Sequence, residues 1–241
     1  MSEPAVPGIF LTAEWRHLLM VNYVVDATVL APLVPPGTEL DLWQGRAYVS
    51  VVGFRFLRTK VLGVLVPFHR NFDEVNLRFY VRRKVEGEWR KGVAFVKEIV
   101  PKRAIAFVAR TLYNENYVRM PMRSHVAVPG EVRYEWQHSG EWEGVSASVI
   151  GDGFMPDPAG EETFITEHYW GYAGQKDGST VEYGVEHVPW RVWQCVAPKL
   201  TCRVDRLYGE RFASYLVGPP VSAFVADGSP VIVRRGGRLC R

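Results

Sequence analysis

The sequence predicts a mainly β fold of the α+β class: an antiparallel barrel or cone, closed or strongly curved, with a few helices on its outside or at its mouth. Three observations predict it. Short apolar segments of period two recur along the chain, separated by turn pairs such as Glu86-Gly87, Pro129-Gly130, Ser139-Gly140 and Asp177-Gly178. The helix-like stretches are few and stand singly, so they do not alternate with strands as a doubly wound sheet requires. No repeat, linker or low-complexity tract divides the 241 residues, which predicts one domain over 1–241.

Residues 10–26 form an apolar, β-branched run, and Asp26 is placed to cap a short helix over 27–33 that Pro35-Pro36-Gly37 ends. From 46 to 57, Tyr48, Ser50, Val52, Phe54 and Phe56 alternate with Val49, Val51, Gly53 and Arg55, the pattern of a long strand. Gly53 in its middle predicts a bulge or a sharp coil. Residues 74–84 set Val75, Leu77, Phe79 and Val81 against Asn76, Arg78, Tyr80 and Arg82, and the 86–88 turn leads into a strand over 89–100. If these two strands pair, Asn76 and Arg78 share a face with Lys97 or with Glu98, depending on register.

Next, Ile105, Val108, Ala109 and Leu112 lie at helical spacing, and this helix opens onto a polar turn at 114–117. A meander follows over 123–150. Residues 151–160 read as a loop, and 161–172 as a helix with Phe164, Ile165, His168 and Tyr169 at core spacing. A strand over 180–188, a segment at 193–200, a helix-like 204–216 and a closing strand at 230–233 complete the chain.

Hydrophobic residues at 47% are ample for a core, so disorder is excluded. The 29 basic and 26 acidic residues are dispersed, apart from an arginine-rich tail at 234–241 that reads as a solvated end, so no nucleic-acid partner is expected. Ser2-Glu3-Pro4 does not begin a signal peptide, and no apolar run reaches membrane-spanning length. Cys195, Cys202 and Cys240 are odd in number and hold no C-x-x-C, as reduced thiols of a cytoplasmic protein would be. Trp136, Trp142 and Trp193 are candidate surface aromatics for a homo-oligomer interface.

No G-x-G-x-x-G, G-K-[ST], H-E-x-x-H or G-x-S-x-G occurs, and His69, His168 and His187 have no ligand spacing, so neither cofactor nor metal is expected. The chemical signal is polar residues at positions where strands turn inward: Asn76, Arg78, Lys97, Glu98, Arg110, Asn114, Tyr117, His168 and His187, in apolar or aromatic surroundings. Such groups either pair with one another, Glu98 holding Arg78 or Arg110, or meet a ligand in a cavity. Lys97 is either a Schiff-base candidate or a strand lysine with its amine in water.

W-x-x-L-L-M-x-N-Y at 15–23, FHRNFDEVNLRFYVRR at 68–83, RTLYNENY at 110–117, ITEHY at 165–169 and EHVPW at 186–190 together resemble the YqjF-like family, an uncharacterised family whose fold is similar to that of acetoacetate decarboxylase. That comparison implies a barrel or cone enclosing a catalytic lysine. Counting from Arg110 in Val108-Ala109-Arg110-Thr111-Leu112, the decarboxylase's two adjacent lysines fall on Tyr117 and Val118, neither of which forms an imine. Its pocket glutamates fall near Ser50 and Val61.

The expectation is therefore a cytoplasmic, acetoacetate decarboxylase-like domain binding a small anionic or carbonyl-bearing molecule. Arg78, Lys97 and Arg110 supply positive charge, Tyr117 and His168 hydrogen bonds, and Trp190 an apolar wall. With Lys97, Tyr117 or His168 acting chemically, it is a lyase-type enzyme. The rival is a non-catalytic ligand-binding or structural oligomeric protein.

Overall fold

The computed structural model describes residues 7–65, 70–101 and 116–239. The helical spacing at 105–112, Arg110 and Asn114 lie outside them. The first strands are β1 (Ile9–Val25), β2 (Glu39–Leu40), β3 (Ala47–Val61), β4 (Val64–Leu65), β5 (Phe72–Val85) and β6 (Glu88–Val100). After the gap come β7 (Tyr117–Arg119), β8 (Met122–Val126), β9 (Gly130–His138) and β10 (Glu141–Phe154). The last are β11 (Trp170–Gly174), β12 (Thr180–Glu186), β13 (Val192–Thr201), β14 (Ser222–Arg234) and β15 (Gly237–Arg238). Four short α-helices, α1 (Ala27–Leu30), α2 (Glu161–Thr166), α3 (Val204–Leu207) and α4 (Glu210–Leu216), and a 3-10 turn at Ala31–Leu33 complete the described elements.

All fifteen strands among the described residues join one sheet, whose main order runs β15-β12-β11-β6-β5-β3-β1-β14-β13-β10-β9-β8. Of the closed or strongly curved antiparallel barrel expected from the sequence, the closed, purely antiparallel form is not what forms. β11 and β7 both run parallel to β6, so the sheet is mixed, and β15 and β8 end the order as edges. The sheet does turn back on itself, for β12 also meets β14 at Val185–Val233 and Glu186–Ile232.

Local chemistry accounts for the elements. Asp26 caps α1 by accepting from the Thr28 amide at 2.8 Å. Val75, Leu77, Phe79 and Val81 are 0–1% exposed in an apolar core shared with α1, α3, α4, β9 and β10, as alternation along β5 predicts. A second apolar cluster on the other face holds Met20, Val52, Phe54, Tyr80, Phe164 and Trp190. The bulge expected at Gly53 sits on the partner strand instead. Between Arg16 and Leu19, β1 carries one residue more than β3, and His17 takes φ 55° there. Gly53 is needed for a different reason: Tyr134 lies against it, where a Cβ would come within 2.6 Å of the ring, and donates its hydroxyl to the His17 carbonyl at 2.8 Å.

Three readings change. The 161–172 helix stops at Thr166, because residues 170–174 pair with β12 and lie beside β6 at Gly92 and Val93. Residues 204–216 divide at Gly209, whose φ of 103° breaks the helix into α3 and α4. Trp136 is fully buried and donates Nε1–H to Glu143 at 3.1 Å, which removes it from any interface. The arginine tail is partly docked: Arg234 pairs with Glu186 and Arg238 with Asp177, each at 2.6 Å. No helix among the described residues is long and apolar enough to cross a membrane.

Gly53→Ala is expected to lower unfolding stability by about 1–3 kcal/mol, since a fully buried ring must move to admit one methyl group. Urea denaturation measures it, and a midpoint unchanged from the parent would refute the packing role assigned to Gly53.

Candidate functional site

The second face of β5 builds one wall of a cavity. Glu74, Asn76 and Arg78 alternate along it at i, i+2 and i+4, opposite the core residues of the same strand. On β6 an extra residue intervenes. Leu77 pairs with Lys97 and Arg78 with Phe95, so Val96 is bulged out of the ladder. The bulge lets Phe95 and Glu98, three residues apart, line the same cavity, and it settles the register question in favour of Glu98. Tyr117 then comes alongside Glu98 through the parallel β6–β7 pairing.

The remaining walls come from distant segments. His168 follows α2, and His187 and Trp190 follow β12. Trp15, Phe54, Phe56 and Phe72 supply an aromatic lining in which Phe56 stacks on Phe72 at 4.6 Å and Trp15 meets Phe54 edge-on at 5.5 Å. The cavity measures about 150 Å³, enough for a molecule of roughly six to eight non-hydrogen atoms.

Of the residues singled out in the sequence, Asn76, Arg78, Glu98, Tyr117, His168, His187 and Trp190 converge here. Arg110 and Asn114 are outside the described residues. Lys97 goes elsewhere: strand alternation turns it to the opposite face, where its amine donates to the Leu207 carbonyl of α3 and burial lowers its pKa. Lys60 is exposed, and no described lysine lines the cavity. Sequence reasoning missed Glu74, although the alternation that found Asn76 and Arg78 includes it. Trp15 stood out only as part of the W-x-x-L-L-M-x-N-Y motif, and Thr59 and Asp41 gave no signal short of tertiary contacts.

The carboxyls of Glu74 and Glu98 are desolvated, at 2% and 1% exposure, and Asn76 Nδ2 donates to Glu74 at 3.1 Å. Arg78 gives one terminal N–H to the Ile165 carbonyl at 3.0 Å and lies 5.6 Å from the centre of the Tyr80 ring. His168 is packed against Tyr80 and Phe164, with Nε2 3.2 Å from the buried Asp41 carboxylate. Burial lowers its pKa, outweighing the Asp41 bond, so the ring is neutral at pH 7. Burial by itself would raise the Asp41 pKa, but the hydrogen bond to His168 and the cations Lys91 (3.8 Å) and Arg82 (3.7 Å) keep it low. His187 stacks on Trp190 at 4.2 Å with Nδ1 3.0 Å from the Val188 carbonyl, and burial lowers its pKa too.

Five buried polar atoms on this cavity have no hydrogen-bond partner among the described residues: Trp15 Nε1, Thr59 Oγ1, Asn76 Oδ1, Arg78 Nε and His168 Nδ1. Each such orphan costs about 1–3 kcal/mol relative to a satisfied group. Behind them, a chain of hydrogen bonds holds α2 in place. Tyr80 and Ser50 hydroxyls are 2.6 Å apart, Ser50 donates to Asn22 Oδ1 at 2.6 Å, and Asn22 Nδ2 donates to Ser222 at 2.9 Å. Ser222 donates to Glu161, whose other oxygen accepts from Tyr48 at 3.2 Å.

Comparison with known proteins identifies the fold and the family. The chain belongs to the DUF2071 family, described as an uncharacterized conserved protein, whose model matches residues 12–230. It is 33% identical over 120 residues to the uncharacterized protein YqjF of Bacillus subtilis (strain 168), a match covering 48% of this chain and about half (48%) of that protein's length. Among solved structures it resembles acetoacetate decarboxylase from Legionella pneumophila at 12% identity and a TM-score of 0.68, covering 100% of this chain and 92% of that one. It also resembles the enduracididine biosynthesis enzyme MppR in complex with pyruvate (13%, TM-score 0.66, 99% and 93% coverage). An acetoacetate decarboxylase-like enzyme from Sphingomonas wittichii is similar again (13%, TM-score 0.65, 99% and 96%). At these identities the likeness shows the fold, a mainly β architecture with peripheral helices.

The buried neutral histidines set a pH dependence. The folded pKa values of His168 and His187 lie below 6.5, so the unfolded chain binds more protons just below that pH, and stability falls as the pH drops from about 6.5 toward the folded values. Urea unfolding between pH 7 and 5.5 is expected to show this loss. His168→Gln should flatten the slope by up to about 1.4 kcal/mol per pH unit, and an unaltered slope in that variant would contradict the assignment.

Proposed function

We propose that the cavity binds a small molecule bearing a carbonyl and an anionic oxygen, in the size range of a three- to five-carbon oxo or hydroxy acid. The observation that carries this reading is the set of buried polar atoms, without partners among the described residues, on side chains that line one largely aromatic hollow. Structural polar networks satisfy their members, whereas orphans of both kinds on the residues around one hollow suit a ligand whose polar groups would pair with them. Arg78 Nε–H and Trp15 Nε1–H want acceptors, which suits a carboxylate or carbonyl oxygen. Asn76 Oδ1 and His168 Nδ1 want donors, which suits a hydroxyl or enol. The volume near 150 Å³ and the aromatic lining agree with a short carbon chain.

The fold-level likeness to enzymes that handle keto acids supports the same class by analogy. An imine mechanism draws no support from the described residues: Lys97 points into the opposite core and Tyr117 lies where the comparison places a lysine. If chemistry follows binding, it is lyase-type and runs on His168 and the carboxyls rather than on an amine. The free thiols Cys195 and Cys202, whose burial pushes their pKa values up to about 12, suit a reducing cytoplasmic setting for a domain spanning 1–241. Trp142, 40% exposed, and the half-buried Trp193 stay as candidate contacts for a second copy.

Thermal unfolding in the presence of a panel of three- to five-carbon oxo and hydroxy acids tests the proposal. A member present at a hundredfold excess over its Kd is expected to raise Tm by about 5–10 °C. Arg78→Met should weaken that binding roughly tenfold or more by removing a charge-assisted hydrogen bond. Silence across the whole panel would favour a purely structural polar core. Borohydride reduction in the presence of the same acids is expected to leave Lys97 unmodified.

A further inference from the structure

The cavity does not stand alone. On the far side of His168 lies an open groove lined by Asp41, Trp43, Arg82, Lys91, Phe164 and Glu167. His168 belongs to the cavity and Asp41 to the groove, and the 3.2 Å contact between Nε2 and Asp41 Oδ2 joins them. Both side chains are buried, 1% and 4% exposed. The carboxylate is charged, held by Lys91 and Arg82, and therefore accepts from His168. This commits the proton of the neutral ring to Nε2 and leaves Nδ1 as a lone pair, buried and without a partner among the described residues. A histidine oriented by a carboxylate, with its second nitrogen uncommitted beside a ligand-sized hollow, has the arrangement of a general base.

We propose that His168 and Asp41 form an acid–base dyad in which His168 Nδ1 takes a proton from the carbon next to the bound molecule's carbonyl, Asp41 serving as the positioning residue. This rests on the cavity reading above and adds the class of reaction: enolisation of a small carbonyl compound. In the step, the C–H bond breaks and its electron pair becomes the enolate, with the charge on the carbonyl oxygen. The proton passes to Nδ1, and the resulting imidazolium is balanced by Asp41 through Nε2–H. Arg78 meets the oxygen that gains charge. Return of a proton from Nδ1 to carbon restores the carbonyl form, so no oxidant or second substrate is required. Arg78 and Lys91 are the cations that face His168 and oppose its protonation, and Arg82 acts on it through Asp41. The groove beyond Asp41 places the charged end of the dyad beside Arg82 and Lys91.

Two measurements on the full chain test this. The first is the ¹⁵N spectrum of histidine-labelled protein at pH 7, assigned with His168→Gln. The Nε2–H tautomer is expected for His168, shifting toward a mixture in Asp41→Asn and returning in Asp41→Glu. A parent spectrum showing the Nδ1–H tautomer overturns the dyad.

The second is loss of the hydrogens next to the carbonyl of three- to five-carbon 2-oxo and 3-oxo acids in D₂O, followed by proton NMR alongside binding. An acid that binds is expected to exchange, with the rate falling about 10²- to 10⁴-fold in His168→Gln while binding persists. Asp41→Asn should cost on the order of 10²-fold or more. Binding without exchange by every acid overturns the dyad and leaves the cavity reading intact. Binding by none overturns both.

Discussion

Strand β5 is buried on both faces, and the rest of the structure follows from what each face requires. Val75, Leu77, Phe79 and Val81 need an apolar cover, and α1, α3, α4 and the β9–β10 hairpin supply it. Glu74, Asn76 and Arg78 cannot be placed in such a cover, because a desolvated charge or amide without partners is costly. The sheet therefore separates two interiors of different chemistry. One is apolar throughout, and the other is rich in aromatic rings with a polar band along one wall. A one-residue slip of β5 would exchange the two sets and destroy both.

The polar side needs a roof held at fixed height, and α2 provides it. The helix is only Glu161–Thr166, too short to hold its place by its own hydrogen bonds. It is tied instead by the buried chain from Tyr80 through Ser50, Asn22 and Ser222 to Glu161. The same helix presents the Ile165 carbonyl to Arg78 and, two residues past its end, His168 to Asp41. Core hydrogen bonds, the position of the arginine and the orientation of the histidine are thus parts of one arrangement. That histidine and its carboxylate join the cavity to the groove behind it.

The likeness to acetoacetate decarboxylase-like structures, with identities of 12–13%, separates scaffold from chemistry. Burial patterns and strand register preserve a fold through extensive substitution, since many apolar side chains fill the same layers. A reactive amine has no such tolerance. In this chain Tyr117 occupies the cavity wall beside Glu98, and the strand lysine nearest in sequence, Lys97, is turned away by the alternation that turns Glu98 inward. The fold is shared, while the side chains that line the cavity are this chain's own.

Much of this was legible in the amino-acid order. Period-two alternation identified the long strands, the two faces of β5 and the inward polar residues Asn76 and Arg78, because a pleated strand leaves a side chain no third direction. Turn pairs marked the hairpins, and Asp26 marked the start of α1. Three-dimensional packing decided the rest. The bulge at Val96 selected Glu98 over Lys97, and nothing in the local residues announces a bulge that exists only relative to a partner strand. Likewise 168–172, helical by spacing, left the helix because β12 and β6 offered ladder hydrogen bonds across the fold. Asp41 and His168 stand 127 residues apart, and only the curl of the sheet brings a carboxylate from β2's end to the back of that imidazole. Local order sets which way each side chain faces; long-range pairing sets what it meets there.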